Sequence, residues 1–361
     1  HGTNMPGGEP QRARRPTRDS EGVLIVLAAS GRDIHRRDND GMPELPEVET
    51  VRRGLLATVL GRPVESVEVL SPQSLQASQR ALERLLVGHR FTGIARRGKL
   101  LVIDLDSDAH LLVHLMMSGQ LVVTEDGRTL FAGGHPSRSM LAPMPNLTTR
   151  VIFRFGGGRS LFFNDGRKFG RIKLVDRASL QADSFLTRLG PEPLDGSFTL
   201  AGFRSGLQRH RGAPVKAVIL NQSVLAGVGN IYADEALHLA RVHPRRLAGS
   251  LSMAESRRLR DAIRTVIGLA IEHGGTSFAG YVNAARGQTG YLEQARVFRR
   301  EGQPCPVCAT PIERISVAGR GTNVCPRCQP GPPTPAGKIA PAGRRVSSWS
   351  RVPAGSDPRP G

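Results

Sequence analysis

No apolar run in this sequence approaches the ~18 consecutive residues that a membrane-spanning helix needs. The stretch at residues 22–30 is too short. It follows several arginines and resembles the apolar core of a signal peptide, but a charged segment and what reads as a second protein start at Met42 come after it, so secretion is not expected. Cysteine is equally scarce. The chain has four, all between Cys305 and Cys328, which excludes a disulfide framework spread over the fold and fits a local site in a reducing compartment. The only tryptophan, Trp349, falls in a Pro-, Gly-, Ser- and Arg-rich tail, so tryptophan fluorescence would report little on folding. There is no internal repeat.

Positive charge is abundant. The 361 residues carry a formal net charge of +19. Residues 1–41 contribute +1 and residues 330–361 contribute +4, which leaves +14 on the segment between them. The excess therefore belongs to the part that folds, and it favours a polyanionic partner. An arginine-rich composition with no such partner is the plain alternative.

Residues 1–41 show little periodicity and read as a disordered extension or an upstream translation of the gene, while residues 330–361, rich in Pro, Gly, Ser and Arg, are expected to be disordered. Between them, Pro46 opens a helical stretch with Val48, Val51, Leu55, Leu56, Val59 and Leu60 at helix spacing, stopped at Gly61. Leu75, Leu82, Leu85 and Leu86 suggest a second helix. Short apolar runs at 100–105, 111–115, 120–124, 150–155 and 160–164, separated by turn residues, predict a β-rich domain. The segment Leu189-Gly-Pro-Glu-Pro193 breaks regular structure and marks a hinge. The second half reads as helices, with a capping box at Ser252 and Glu255 ahead of Leu259, Ile263, Val266 and Ile267.

The cysteines form two Cys-x2-Cys pairs: Cys305 with Cys308, and Cys325 with Cys328. Each pair puts two thiolates on one tight knuckle, and two knuckles close a tetrahedron around one Zn²⁺. Four protein ligands leave no open position for a water, so the zinc is structural. A redox dithiol is the alternative. Arg314, Arg320 and Arg327 would let this hairpin meet phosphates.

Six segments occur in a telling order. They are Met42-Pro-Glu-Leu-Pro-Glu-Val-Glu-Thr-Val-Arg-Arg-Gly54, Arg97-Gly-Lys99, His114-Leu-Met-Met-Ser-Gly119, Asp165-Gly-Arg-Lys-Phe-Gly170, Leu225-Ala-Gly-Val-Gly-Asn-Ile-Tyr-Ala-Asp234 and the cysteine hairpin. Together they resemble the bacterial formamidopyrimidine-DNA glycosylase family over residues 42–329. The resemblance implies an α+β multi-domain fold. Its parts would be a catalytic β-sandwich domain at 42–175, a hinge at 176–194, a helix–two-turn–helix DNA-binding domain at 195–296 and a zinc finger at 297–329. It further implies a monomeric cytoplasmic enzyme of base-excision repair that removes oxidised purines from double-stranded DNA and cleaves the abasic site by β,δ-elimination. Zinc is the only cofactor implied.

The chemistry suits the residues. A proline exposed by loss of the preceding Met is a secondary amine, nucleophilic toward a sugar C1′ and able to form an iminium; its pKa near ~8 leaves a neutral fraction at pH 7. By the resemblance, Pro43 is that nucleophile, Glu44 moves protons to the opening sugar, Lys99 assists proton transfer in β-elimination and Arg320 contacts phosphate. Proline and acids are also favoured at any helix start, and Lys99 and Arg320 could be ordinary surface cations.

A base that undergoes chemistry must leave the stack, and by the resemblance Met117, Arg167 and Phe169 would fill the gap. Met and Phe at strand ends are also ordinary core residues. The resemblance further implies that Asn230 and Lys216 meet DNA phosphates, and Gly227 and Gly229 would allow close backbone approach by the same anion. A dinucleotide fingerprint is excluded for Gly227-Val-Gly229 because no strand precedes it in the required unit. Two phosphate-contact positions depart from the family, with Thr148 where a histidine is expected and Gly212 where a basic residue is. An enzyme of the endonuclease VIII branch, acting on oxidised pyrimidines, is the nearest alternative, although Leu45 favours the purine branch. A non-catalytic damaged-DNA-binding zinc protein is the other. It gains weight from Met42, because Pro43 joined to it is an amide and not an amine.

Overall fold

A computed structural model of the chain describes residues 42–76, 78–276 and 290–331. The expectation for residues 1–41, and that of disorder at 330–361 from residue 332 on, Trp349 included, lie outside the described residues.

Helix α1 (Leu45–Thr58) begins beside Pro46, and the Glu47 carboxylate takes the backbone N–H of Glu44 at 2.9 Å, so the first turn is capped from within. It ends short of Leu60, which is 40% exposed. Nine strands then form two antiparallel sheets. They are β1 (Val64–Val69), β2 (Phe91–Arg97), β3 (Leu100–Leu105), β4 (Ala109–His114), β5 (Gly119–Glu125), β6 (Arg128–Gly134), β7 (Thr149–Phe155), β8 (Arg159–Asp165) and β9 (Arg171–Asp176). One sheet has the order β1-β7-β8-β5-β6 and the other β2-β3-β4-β9. Their inner faces share a core of Phe91, Leu101, Ile103, Leu111, Leu121, Phe153, Leu161 and Phe163, closed by Val48, Val51 and Leu55 of α1. Helix α1 can lie this close because Gly54 has no side chain: a Cβ there would fall 2.2 Å from the Phe131 ring.

The expected apolar runs all lie in strands, but four strands were not anticipated. Strands β1, β2, β6 and β9 mix charged, small and apolar residues and carry little apolar signal. Leu75 is not in the second helix. It follows a short 3-10 turn and bridges to Ile172, and α2 (Gln79–Leu86) starts later, capped by Ser78 accepting from the Ala81 N–H.

The hinge segment is more ordered than its Pro and Gly content suggests. Two short helices, α3 (Arg177–Gln181) and α4 (Ser184–Thr187), are capped by Asp176 and Asp183. Irregular chain then leads to α5 (Leu200–Arg209), α6 (Val215–Ile219), α7 (Asn230–Ala240) and α8 (Met253–Glu272). The Ser252–Glu255 capping box forms as expected. These helices enclose a second core around Phe203, Leu207, Leu225, Tyr232, Leu237, Ile263 and Ile267, which also receives Leu45 from the start of α1. Strands β10 (Glu313–Val317) and β11 (Arg320–Val324) complete the described chain as a hairpin between the two cysteine knuckles. Among the described residues no helix is long and apolar enough to cross a membrane.

Candidate active site and zinc centre

Pro43 and Glu44 are buried where the start of α1 meets the start of α7. Two glycines permit this approach. A Cβ on Gly227 would lie 2.6 Å from Leu45, and one on Gly229 would lie 2.2 Å from the Glu44 carboxyl carbon. Gly227 also needs its positive φ of 83°. Leu45 donates its N–H to the Gly227 carbonyl at 3.1 Å, and Ile231 donates its N–H to Glu44 Oε1 at 3.0 Å. The expectation that Gly227 serves an anion is corrected: its N–H is given to Gln222 Oε1 at 2.8 Å. The glycine pair makes room for Glu44 and Leu45.

Glu44 Oε2 is buried without a hydrogen-bond partner. Burial pushes the Glu44 carboxyl up to about 7, with Lys99 pulling it down and Glu47 pushing it up. Lys99 is shifted the opposite way. Burial holds its ammonium below the usual lysine range, Glu44 and Glu47 pull it back, and Arg320 lowers it further. Pro43 is joined to Glu44, the charge of Lys99 acts on Glu44, and that of Arg320 acts on Lys99. A carboxyl and an ammonium each brought nearer to neutrality can exchange protons with a substrate.

Second-rank contacts that the sequence did not reveal hold this arrangement. Tyr232 Oη donates to Glu47 Oε1 at 2.5 Å, and Thr276 donates to the same oxygen through its N–H at 2.7 Å and its hydroxyl at 2.9 Å. The turn before Lys99 is bound by Glu192 of the hinge, whose carboxylate accepts from Gly98 N at 2.6 Å, Arg96 at 2.7 Å and Arg97 at 3.1 Å.

The proposed gap-filling residues sit on two adjacent turns. Met117 is half-buried after β4, while Arg167 and Phe169 are exposed after β8. The Arg167 guanidinium lies 5.0 Å from the Phe169 ring centroid. Buried Asp165 ties the turns together, accepting from the Ser118 hydroxyl, from Arg167 N at 3.1 Å and from Gly170 N at 2.6 Å. Phe169 is 45% exposed, which suits an apolar wedge better than a core residue.

Lys216 requires a correction. Its side chain is fully buried, 2.6 Å from the equally buried Asp234 carboxylate, and it donates to Thr322 Oγ1 at 2.7 Å and to the Gly321 carbonyl at 3.2 Å. An ammonium spent on these groups cannot reach a phosphate; it fastens the hairpin to α6 and α7. Lys216→Ala should therefore lower unfolding stability by about 3–5 kcal/mol, because Asp234 stays buried without its counter-charge. Lys216→Met with Asp234→Leu should recover most of the loss. Denaturant titration of the variants checks both. The Asn230 amide nitrogen likewise donates to the Gly321 carbonyl, at 3.1 Å, beside exposed Arg320.

The four cysteines meet at the base of the hairpin. Sγ separations are 3.4 Å for Cys308–Cys325, 3.5 Å for Cys308–Cys328 and 3.9 Å for Cys305–Cys328. A zinc tetrahedron with Zn–S near ~2.3 Å has edges of ~3.8 Å, so the donors fit one ion. Val297 and Ile312 wall the site. The chain is docked there by buried Glu235, which accepts the N–H groups of Arg296, Val297 and Phe298 at 2.8, 2.9 and 2.8 Å.

Known proteins match this arrangement part by part. The formamidopyrimidine-DNA glycosylase N-terminal domain matches residues 42–172, the H2TH domain of the same enzyme matches 189–281, and the zinc finger found in FPG and IleRS matches 302–331. The formamidopyrimidine-DNA glycosylase of Herpetosiphon aurantiacus is 44% identical over 292 residues, covering 80% of this chain and all of the relative. That of Symbiobacterium thermophilum is 43% identical, covering 81% of this chain and 90% of the relative. The crystal structure of the Thermus thermophilus MutM (Fpg) protein aligns with a TM-score of 0.67 at 40% identity, covering 80% of this chain and 100% of that one. The Lactococcus lactis Fpg bound to abasic-site DNA aligns with a TM-score of 0.69 at 32% identity, covering 79% and 99%. The match spans each of the three described parts of the molecule and nearly the whole of each relative, and the chain belongs to the formamidopyrimidine-DNA glycosylase family.

Proposed function

We propose that the chain, once it begins at Pro43, is a bifunctional DNA glycosylase and abasic-site lyase that removes oxidised purines. The observation that carries this reading is the buried junction at which Pro43 adjoins a carboxyl held near 7, with Lys99 and Arg320 close by. The Pro43 amine attacks C1′ of the lesion sugar, the bond to the damaged base breaks, and an iminium joins enzyme and sugar. Glu44 supplies the proton that opens the sugar. Lys99 assists removal of the proton that drives β-elimination, and Arg320 contacts phosphate during δ-elimination. Met117, Arg167 and Phe169 fill the space left by the extruded nucleotide. The enzyme acts as a monomer on double-stranded DNA in the bacterial cytoplasm, at the nucleoid.

The test is strand scission of a duplex carrying one 8-oxoguanine, beside an equal duplex carrying an oxidised pyrimidine. Faster scission of the purine lesion supports the reading, and a reversed order favours the endonuclease VIII branch.

The two departures from the family's phosphate contacts yield a further expectation. Thr148 is half-buried and its carbonyl accepts from Asp165 N at 2.7 Å, so it already braces a turn. Gly212 is exposed and a Cβ there would touch nothing within 4 Å. Gly212→Lys should therefore fold unchanged and, if it gains one phosphate, steepen the fall of log K with log salt by about 0.9. Fluorescence anisotropy on duplex DNA over a salt series measures it. An unchanged slope would place position 212 away from the DNA.

A further inference from the structure

Helix α7 carries a histidine that four cysteine ligands do not require. His238 is buried, and its Nε2 lies 3.4 Å from Cys305 Sγ. Its donor atom and the sulfurs of Cys305, Cys325 and Cys328 all lie within 4.8 Å of one another. The other ring nitrogen, Nδ1, is buried with no hydrogen-bond partner.

That asymmetry fixes the proton. A neutral imidazole has one N–H and one lone pair. With the proton on Nδ1, a buried donor would go unpaired and the Nε2 lone pair would face the sulfur, which is a thiolate when zinc is bound. With the proton on Nε2, the ring donates to an anion. Four thiolates around one Zn²⁺ leave two net negative charges, here in a pocket walled by Val297 and Ile312, so each donor to sulfur matters. Cys305 also accepts from Val307 N at 3.4 Å, within its own knuckle. The imidazole is the donor that comes from another part of the fold.

His238 belongs to a pattern on α7. Asn230, Asp234 and His238 are spaced four apart and share one helix face. Asn230 donates to the Gly321 carbonyl, Asp234 accepts from the Asn323 N–H at 2.8 Å, and His238 meets Cys305. The stripe runs down the hairpin from its tip to its metal end.

We propose that His238 is a positioning residue of the zinc centre: through Nε2–H it holds the Cys305 thiolate and ties the metal to the helix that docks the hairpin. It is not itself a ligand. The inference needs the zinc alone and does not depend on the glycosylase reading.

Zinc release to a chelator, followed on the full chain, tests it. His238→Phe fills the space without a donor and should release zinc about tenfold faster or more. His238→Gln places an N–H near the position of Nε2 and should recover most of the loss. The Co²⁺-substituted wild type and His238→Phe should share one four-sulfur spectrum. A three-sulfur, one-nitrogen spectrum in the wild type would make His238 a ligand and overturn the proposal, as would unchanged release from His238→Phe. Should His238→Phe fail to fold, the wild type decides by long-range ¹H–¹⁵N spectra of the zinc form. An Nε2–H tautomer supports the hydrogen bond, and an Nδ1–H tautomer overturns it.

Discussion

A chain whose first residue is Pro43 should be trapped covalently on a lesion-bearing duplex by borohydride, whereas the same chain retaining Met42 should bind that duplex and leave no adduct. The difference is one bond. A prolyl nitrogen joined to Met42 is part of a planar amide, and its lone pair is delocalised into the carbonyl. Freed, it becomes a secondary amine with a pKa near ~8, partly neutral at pH 7. The site around it is built in either case: Glu44 is anchored by Ile231 N and Glu47 through contacts that do not involve the Pro43 nitrogen. Trapping should fall from near-complete to undetectable while DNA affinity changes little, because the charge and the zinc hairpin are shared. Gel-shift and trapping assays on the two forms, with intact mass confirming each start, read both quantities. An adduct of equal yield from the Met42 form would show that another amine attacks, and Lys99 would be the first to examine. Equal binding with no adduct from either form would favour the binding-only reading.

What could be read in advance depended on how far apart the partners lie. The two cysteine knuckles were legible because their chemistry is local, within two or three residues of chain, and the Pro43–Glu44 start could be singled out for the same reason. Lys216 misled because its meaning lies 106 positions on, at Thr322; by itself it is indistinguishable from a surface cation. Asp234 and Glu235 look like solvated helix acids until their bonds to Asn323 and to the backbone at 296–298 are seen. Gly227 and Gly229 were rightly singled out as a close-approach site, but what approaches them is Leu45 and Glu44. A β-rich domain was foreseen from its apolar strands, and the sandwich from the family resemblance. β2, which ends Ala95-Arg-Arg97, was not, because its arginines are occupied by Glu49 and Glu192 from elements distant in sequence.

Glu44→Gln should slow lesion excision by about 10²–10⁴-fold, the usual contribution of a positioned acid or base, and should at the same time make the protein more stable above neutral pH. Both effects come from burial. The carboxyl ordinarily titrates at 4.5, and in the fold it is held at about 7. Between those values the folded state binds more protons than the unfolded state, so stability falls as pH rises from about 4.5 to about 7 and stays lower beyond it. The cost at pH 8 is of order 3 kcal/mol, a net figure in which the pull of Lys99 is already included. Glutamine is never charged and escapes this penalty. The gain in Tm should be clear at pH 8 and small near pH 5. The rate of the Pro43-initiated chain should decline on the alkaline side as Glu44 loses its proton, and Glu44→Gln should lose that limb along with the rate. Thermal unfolding at the two pH values and single-turnover excision across pH measure the pair of effects. A variant with full rate and an unchanged profile would remove Glu44 from the chemistry. A slower variant with no gain in stability at pH 8 would show that Lys99 already compensates the buried charge, and that the pair works as one proton-sharing unit.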